Sequence, residues 1–354
     1  MYDEQQWILK RARLTPNKEA LIEIETRRTW TYEQLEKEIN KWQCILCTHR
    51  IQVGDRVCVL SENNIDTFAI LFACGMTGAI FVPINWRLSE QEIQYITLDC
   101  QPRLCIYEDS FEIIVNSLPI EHKWSFTNQL DENKEPIYYN SSWQSSTPWF
   151  IIYTGGTTGY PKGAVLTFDS VNWNAINTII SWNLGNEDCT INYMPLFHTG
   201  GINALSIPIL MVGGTVVIGK KFNAERAIRA LNEYRSTISL FVPTMYQEIV
   251  QTNYFKNADF PTMKVFLSGG APCPKTIYEH FHKRGLLFKE GYGLTEAGPN
   301  NFYIDPIEAM KKRGAVGKNM QFNQIRIVKE DGTVCSIHEV GELSYFSEVQ
   351  IDLG

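Results

Sequence analysis

Residues 149–168 read Trp-Phe-Ile-Ile-Tyr-Thr-Gly-Gly-Thr-Thr-Gly-Tyr-Pro-Lys-Gly-Ala-Val-Leu-Thr-Phe. Two apolar runs of strand character flank a stretch where the side chains shrink to glycine and threonine. Gly155, Gly156 and Gly159 let successive backbone N–H groups turn toward one point, because positive φ costs glycine little. Such a concavity holds an anion such as phosphate. Thr154, Thr157 and Thr158 add hydroxyls that can bond phosphate oxygens or a metal, and Lys162 adds a fixed positive charge. The spacing does not fit G-x-x-x-x-G-K-[ST], and a second strand-like run follows the lysine. A P-loop NTPase is therefore disfavoured.

A second cluster spans residues 290–298, Glu-Gly-Tyr-Gly-Leu-Thr-Glu-Ala-Gly. Glu296 is a hard oxygen ligand suited to Mg²⁺ bridging phosphates. Thr295 offers a hydroxyl to a phosphate. Tyr292, between Gly291 and Gly293, offers an aromatic face on which a base can lie. Upstream, a strand at 263–267 empties into Ser268-Gly269-Gly270-Ala271-Pro272. Backbone is exposed there at the carboxyl end of a sheet, where open α/β folds bind ligands. The third candidate is His198, in Met-Pro-Leu-Phe-His-Thr-Gly-Gly at 194–201. A lone histidine of this kind reads as a core residue, but here Gly200-Gly201 and an apolar helix follow it.

These segments resemble, in type and in order, the motifs of the acyl-adenylate-forming (AMP-binding) enzymes: acyl- and aryl-CoA synthetases, luciferases and the adenylation domains of peptide synthetases. Residues 153–163 resemble the phosphate-binding signature, with Gly155 where the family has Ser or Thr, so one hydroxyl is lost and the backbone donor kept. The resemblance implies that Thr154, Gly155, Gly156, Thr157, Thr158, Gly159 and Lys162 cradle the leaving phosphates of ATP. It implies that Gly270, Ala271, Pro272 and Tyr292 surround the adenine, with Glu290 and Gly291 also among the nucleotide-binding residues. Thr295 would take the α-phosphate and Glu296 the Mg²⁺, with Lys162 as the third catalytic group. His198, Gly201, Gly269 and Gly293 would form the acyl side. Amino-acid adenylation domains carry an Asp where His198 stands, and a buried ammonium without a carboxylate is costly; amino-acid substrates are disfavoured.

The activity implied is that of an acid–thiol ligase. A fatty or aryl carboxylate attacks the α-phosphorus of ATP, pyrophosphate leaves, and CoA takes the acyl group. Three other readings stay open: an acyl- or aryl-AMP ligase loading a carrier protein, a non-catalytic adenylate-binding module, and an α/β scaffold without nucleotide. The resemblance runs from about residue 31 to 343. The family continues into a ribose-binding Thr-Gly-Asp and a small C-terminal domain with a catalytic Lys. The expectation is a large N-terminal domain alone, with weak activity.

Composition agrees with a globular enzyme. The chain has 354 residues, 44% hydrophobic and 20% charged. Its net charge of −7, with no basic cluster longer than Lys311-Lys312-Arg313, argues against nucleic-acid binding. Nine cysteines at irregular spacing suggest a reducing, cytoplasmic setting. Cys44-x-x-Cys47 reads as packing, and the N-terminus lacks a signal-peptide core. Residues 68–84 are nearly all apolar, but Gly75, Thr77, Gly78 and Pro83 break them, so a buried helix, turn and strand is favoured over a membrane span.

The elements that must position these residues read as an α/β fold: two similar, mostly parallel sheets layered with helices, plus a small partial β-barrel at the C-terminal end. Residues 68–84 and 204–218 share an order of apolar helix, Gly stop and strand. Ser89 caps a helix after the first unit and Asn223 after the second. Thr31 caps an earlier helix. Within 1–354 the expected units are 1–185 with the phosphate loop 153–163, 186–305, and a β-rich, incomplete 306–354. In the last, residues 325–328 and 333–337 read as a hairpin across Asp331-Gly332.

Overall fold

Apolar runs alternate with capped helices along the chain, and the computed structural model, which describes residues 6–128, 144–155 and 160–346, follows that alternation. The first half runs α1 (Trp7–Leu14), β1 (Glu19–Glu23), β2 (Thr29–Thr31), α2 (Tyr32–Thr48), β3 (Arg56–Leu60), α3 (Asp66–Thr77), β4 (Ile80–Pro83), α4 (Glu90–Cys100), β5 (Leu104–Tyr107), α5 (Glu112–Ser117), β6 (His122–Ser125), β7 (Pro148–Thr154), β8 (Lys162–Thr167) and α6 (Phe168–Trp182). Next come β9 (Cys189–Asn192), α7 (Thr199–Ile202), α8 (Ser206–Val212), β10 (Thr215–Ile218), α9 (Ala224–Glu233), β11 (Ile238–Phe241), α10 (Pro243–Gln251) and α11 (Asn253–Asn257). The remainder is β12 (Val265–Ser268), α12 (Lys275–Lys283), β13 (Phe288–Glu290), β14 (Phe302–Tyr303), α13 (Pro306–Lys311), β15 (Lys318–Asn319), β16 (Gln324–Val328) and β17 (Glu342–Phe346).

Local chemistry sets many of these boundaries. Thr31 and Ser89 each close a full capping box, and Asn223 caps α9. Gly78 and Gly213 end α3 and α8 in the left-handed region, at φ 73° and 88°. Gly75 does not break its helix as the sequence suggested. It lies inside α3, and a Cβ there would meet the Trp149 indole nitrogen at 2.8 Å. That nitrogen donates to the Leu71 carbonyl (3.1 Å), so a gap in the helix surface admits the start of the phosphate-loop strand.

The first sheet has the order β6-β5-β3-β4-β7-β8, parallel except for β8. The second layer consists of β2-β1-β10-β9 and β11-β12-β13. These meet at β9 and β11, where Thr237 Oγ1 and Ser239 Oγ accept the Cys189 and Ile191 N–H groups (3.1 and 3.2 Å) in place of ladder carbonyls. β1 belongs to this second layer: Leu21, Ile22 and Glu23 pair in parallel with Val216, Val217 and Ile218. The expected division at residue 185 is thus crossed by the first strand of the chain.

Toward the C-terminus, β14 pairs with β15 and β16 with β17, both antiparallel. Asp331-Gly332 does turn the chain, with Lys329 N–H bonded to Thr333 O (2.8 Å). The strand partner of β16 is nevertheless β17, and residues 333–337 keep only a bridge from Val334 to Val328. The described residues give two strand pairs here and not a barrel. No helix among them is long and apolar enough to cross a membrane, and α3, the segment that raised the question, is buried from Thr67 to Thr77.

Lys289, on β13, is 3% exposed, with Nζ 4.5 Å from the ring centroids of both Trp182 and Tyr303. Burial lowers its pKa from 10.5 to about 7, with Asp305 opposing the shift only in part. Between those values the unfolded chain holds a proton that the folded chain lacks, so stability rises with pH across that window and is lowest beneath it. Lys289→Met is expected to stabilise the fold at neutral pH and below, with the gain shrinking as pH approaches about 10. Denaturant midpoints of parent and variant at several pH values test this; a gain independent of pH would contradict it.

Candidate active site

Ser268, the last residue of β12, sits opposite Glu290, the last of β13. Residues 269–272 and 291–293 therefore leave the sheet side by side, joined by the Gly291 N–H to Ser268 O bond (2.8 Å). Gly270 turns at φ +82°, a conformation that favours glycine, and Gly270, Ala271 and Pro272 are exposed. Tyr292 is exposed too, its ring edge-on to Phe302 at 5.6 Å. Glu290, expected among the nucleotide-binding residues, points into the protein. Its carboxylate is buried and accepts from the Cys273 N–H (3.1 Å) and the Tyr278 hydroxyl (2.7 Å). It holds the 269–273 turn against α12 instead of facing a ligand.

Beyond Tyr292 the chain folds into a tight hairpin. Asn301 N–H bonds to Tyr292 O, and Leu294 N–H to Gly298 O, both at 3.0 Å. Asn301 Nδ2 adds a bond to Gly298 O (2.7 Å). Gly293 is a packing glycine, since a Cβ would lie 2.2 Å from the Pro299 backbone. Gly298 has φ +85°, and a Cβ would lie 2.4 Å from Asn174 Nδ2 on α6. Thr295 and Glu296 stand at the tip of this braced loop, half-buried and without a side-chain partner among the described residues. Glu296 also lines a cavity of about 830 Å³. Its other walls are α6 from Asp169 to Asn177, Asn203, residues 321–324 and Tyr345.

The His198 segment is held from both sheets. Asn63, just beyond β3, donates to the carbonyls of Met194 (3.0 Å) and Gly219 (3.2 Å) and accepts from the Leu196 N–H (3.0 Å). Asn192 donates to Gly201 O (2.6 Å) and Ser206 Oγ (3.0 Å) and accepts from the Met194 N–H (2.8 Å). His198 occupies the N-cap position of α7, without a side-chain capping bond, beside Phe197 (centroids 4.6 Å). Desolvation by its neighbours, then the Arg87 guanidinium, lowers its pKa, so the ring is neutral at neutral pH. Gly201 is buried, and a Cβ there would lie 2.2 Å from Pro195 O. Its missing side chain lets two segments touch.

In the phosphate loop, Gly156, Thr157, Thr158 and Gly159 lie outside the described residues. The two flanks are anchored to one helix. Tyr153 donates its hydroxyl to Asp99, and Tyr160 stacks on Tyr95 (centroids 5.0 Å, planes 28° apart), both partners on α4. Thr154 faces Lys162 across the β7–β8 pair. Lys162 is exposed, without an ion-pair partner among the described residues. Thr154, Gly155 and Lys162 are not in the cavity wall. The structure thus joins 269–272, 291–296 and the His198 segment at the carboxyl ends of the second layer, with the loop flanks at the carboxyl end of β7. Sequence reasoning missed Asn63, Asn192, Asn174, Tyr95 and Asp99; only the tandem Asn63-Asn64 and Asn300-Asn301 hinted that carboxamides matter here.

Parallel strands emptying into a glycine turn, a carboxylate loop and a Gly/Thr loop define a nucleotide-binding α/β protein. The chain belongs to the AMP-binding enzyme family, whose model matches residues 8–347. It is 30% identical to the indoleacetate–CoA ligase of Aromatoleum aromaticum, over 96% of this chain and 69% of that protein. It is 31% identical to a feruloyl-CoA synthase of Amycolatopsis, over 95% of this chain and 68% of that one. Among solved structures it is similar to the N-terminal domain of FACL13 from Mycobacterium tuberculosis, with TM-score 0.89, 25% identity, and 98% and 90% of the two chains covered. It is also similar to O-succinylbenzoate Coenzyme A synthetase from Bacillus subtilis in complex with ATP and magnesium ion, with TM-score 0.86, 26% identity, and 96% and 72% covered.

If α4 positions the loop, Tyr95→Ala should weaken MgATP binding about tenfold, since ligand geometry is sensitive to small displacements. The thermal midpoint should stay within about 2 °C of the parent, as for a surface substitution. Calorimetric titration beside a melting curve reads both; unchanged affinity would mean the stacking is incidental.

Proposed function

We propose that this chain activates a carboxylic acid with MgATP as an acyl-adenylate and transfers the acyl group to CoA. One observation carries the reading: Thr295 and Glu296 stand unpartnered at the tip of a loop that is itself fully braced. An unpaired, half-buried carboxylate is poorly compensated within the chain and suits a divalent cation. Among the described residues no cluster of three or more His, Cys, Asp or Glu could hold a metal. Glu296 would act as a protein ligand, with phosphate oxygens and water completing the shell, as Mg²⁺ prefers. When bound, the metal would neutralise triphosphate charge.

The chain's own part is to orient and to supply charge. Lys162 and the Thr154–Gly155 flank face the leaving phosphates, and the Thr295 hydroxyl bonds the α-phosphate. Gly270–Pro272 and Tyr292 give the adenine an open backbone edge and a ring face. The attacking carboxylate needs no general base, so alignment and charge stabilisation carry the step. His198, neutral at working pH, borders the acyl side without capturing the carboxylate as an ion pair. Two relatives are named for aromatic acids, which favours an aryl acid over a fatty acid. Within the chain we read 1–354 as the large domain of such an enzyme.

Acid-dependent exchange of labelled pyrophosphate into ATP tests the first half-reaction. Glu296→Gln and Lys162→Ala are each expected to lower it by about 10²–10³-fold, the usual cost of one preorganised charge or donor. Activity unchanged in both would overturn the assignment. Supplying CoA or a carrier-protein thiol to the preformed adenylate then identifies the acceptor.

A further inference from the structure

Three segments meet at one buried oxygen, the Tyr278 hydroxyl. Tyr278 lies on α12 and is fully buried, its ring edge-on to Phe288 of β13 at 4.8 Å. The hydroxyl donates to Glu290 Oε1 (2.7 Å) and accepts from the Gly314 N–H (3.3 Å). Burial, then the bond to Glu290, raises its pKa, so it keeps the proton it donates. The other Glu290 oxygen takes the Cys273 N–H (3.1 Å), which closes the 269–273 turn.

From Gly314 the path leads back toward Tyr292. Residues 314–317 run into β15, where Lys318 and Asn319 pair with Tyr303 and Phe302 of β14. Phe302 in turn backs the Tyr292 ring, edge-on at 5.6 Å. A Cβ on Gly317 would lie 2.0 Å from Tyr303 O, so this connection is seated tightly on β14. Arg313 adds a second tie to α12 through Glu279 (3.0 Å).

These contacts close a circuit. It runs from the Gly270 turn through Cys273, Glu290 and Tyr278 to Gly314, then along β15 and β14 to the ring of Tyr292. The exposed backbone of 270–272 and the exposed Tyr292 ring are thus held relative to one another through a single hydroxyl. Removing it leaves a buried carboxylate oxygen without its donor and loosens the 314–317 connection. The loop that carries Thr295 and Glu296 is braced separately, by Asn301 and Asn174.

We infer that Tyr278 is a positioning residue for the nucleotide: its hydroxyl fixes the spacing between the 270–272 turn and the Tyr292 ring, and so sets ATP affinity without touching ATP. The inference rests on the reading above, in which that turn and that ring flank the adenine.

The test compares the parent with Tyr278→Phe, Glu290→Gln and Phe255→Leu. MgATP is titrated by calorimetry and varied in the pyrophosphate-exchange assay, with decanoate, phenylacetate, indole-3-acetate and ferulate as acids. Phe255, on α11, packs in the same core through Phe281 (centroids 5.0 Å) and takes no part in the circuit. Tyr278→Phe is expected to raise Kd and KM for MgATP about tenfold, with kcat and the KM of the acid within about twofold, because a displaced binding wall costs affinity while the reacting groups keep their geometry. Glu290→Gln, which keeps one acceptor, should shift MgATP affinity the same way by less, and it carries the test should Tyr278→Phe fail to fold. Phe255→Leu should lower the melting temperature and leave MgATP affinity unchanged. Parent-like MgATP affinity in Tyr278→Phe, a loss of kcat alone, or an equal affinity loss in Phe255→Leu overturns the inference. The expected affinity loss in Tyr278→Phe, with no acid supporting exchange in the parent, would leave the inference standing and sink the acid-activating reading. A parent that binds no MgATP would sink both.

Discussion

Asn63 holds the working ends of the two sheets in register. It lies just beyond β3 in the first sheet and spans to the segments following β9 and β10 in the second layer, with both amide hydrogens and its oxygen engaged. The Met194 and Gly219 carbonyls and the Leu196 N–H are buried polar groups that would otherwise lack partners there. Each such loss costs about 1–3 kcal/mol. Asn192 does the same within the second layer, tying Gly201 and Met194 to the strand they leave. The path that delivers His198 to the cleft is therefore fixed by neutral groups from both sides.

Neutrality matters because the chemistry needs its charges unspent. A structural ion pair at these positions would add a strong local field and a desolvation penalty that attraction need not offset. The site is instead braced by carboxamides, tyrosine hydroxyls and backbone groups, while Lys162 and Glu296 make no intramolecular pair among the described residues. Glu290 is the informative exception. Its carboxyl group is buried beside the site, but its oxygens take an N–H and a phenol, so it orders the Gly270 turn without consuming a cation. Oriented dipoles hold the frame, and free charges remain for the ligand.

What could be read in the sequence was what is decided locally. Gly78 and Gly213 stop helices because the left-handed region needs no partner to favour glycine, and Thr31, Ser89 and Asn223 cap because the backbone N–H donors their side chains accept from lie three residues away. The motif segments fall at strand ends for the same reason: a strand run followed by Gly and Pro has few alternatives. The failures were long-range. β1 joins β10 across almost two hundred residues, and β17 displaces the nearer 333–337 segment from β16 although Asp331-Gly332 makes its turn. Gly75 was taken for a helix breaker when its role is to admit Trp149, a contact that no periodicity encodes. Glu290 looked like a ligand by company, and only its burial shows otherwise. Asparagines carry no period at all, so the bonds of Asn63, Asn192 and Asn174 were invisible until the segments met.

One element links the two charged loops without an intervening break. β8 begins at Lys162 and runs into α6, whose start is fixed by the Thr167 cap, with the Thr167 side chain accepting from the Ser170 N–H (3.2 Å). Two turns along, Asn174 reaches the Glu296 loop, bonding Asn300 O and filling the space that a Gly298 side chain would need. Farther on, Thr178 Oγ1 accepts from Asn300 Nδ2 (3.1 Å). A rigid helix closed by a cap at one end and bolted to the carboxylate loop along its length leaves little independent freedom between them. The separation of cation and anion is thereby set by secondary structure, and the same helix face forms a wall of the cavity beside Glu296. A change on α6 that alters the cavity therefore also moves the frame that holds Glu296.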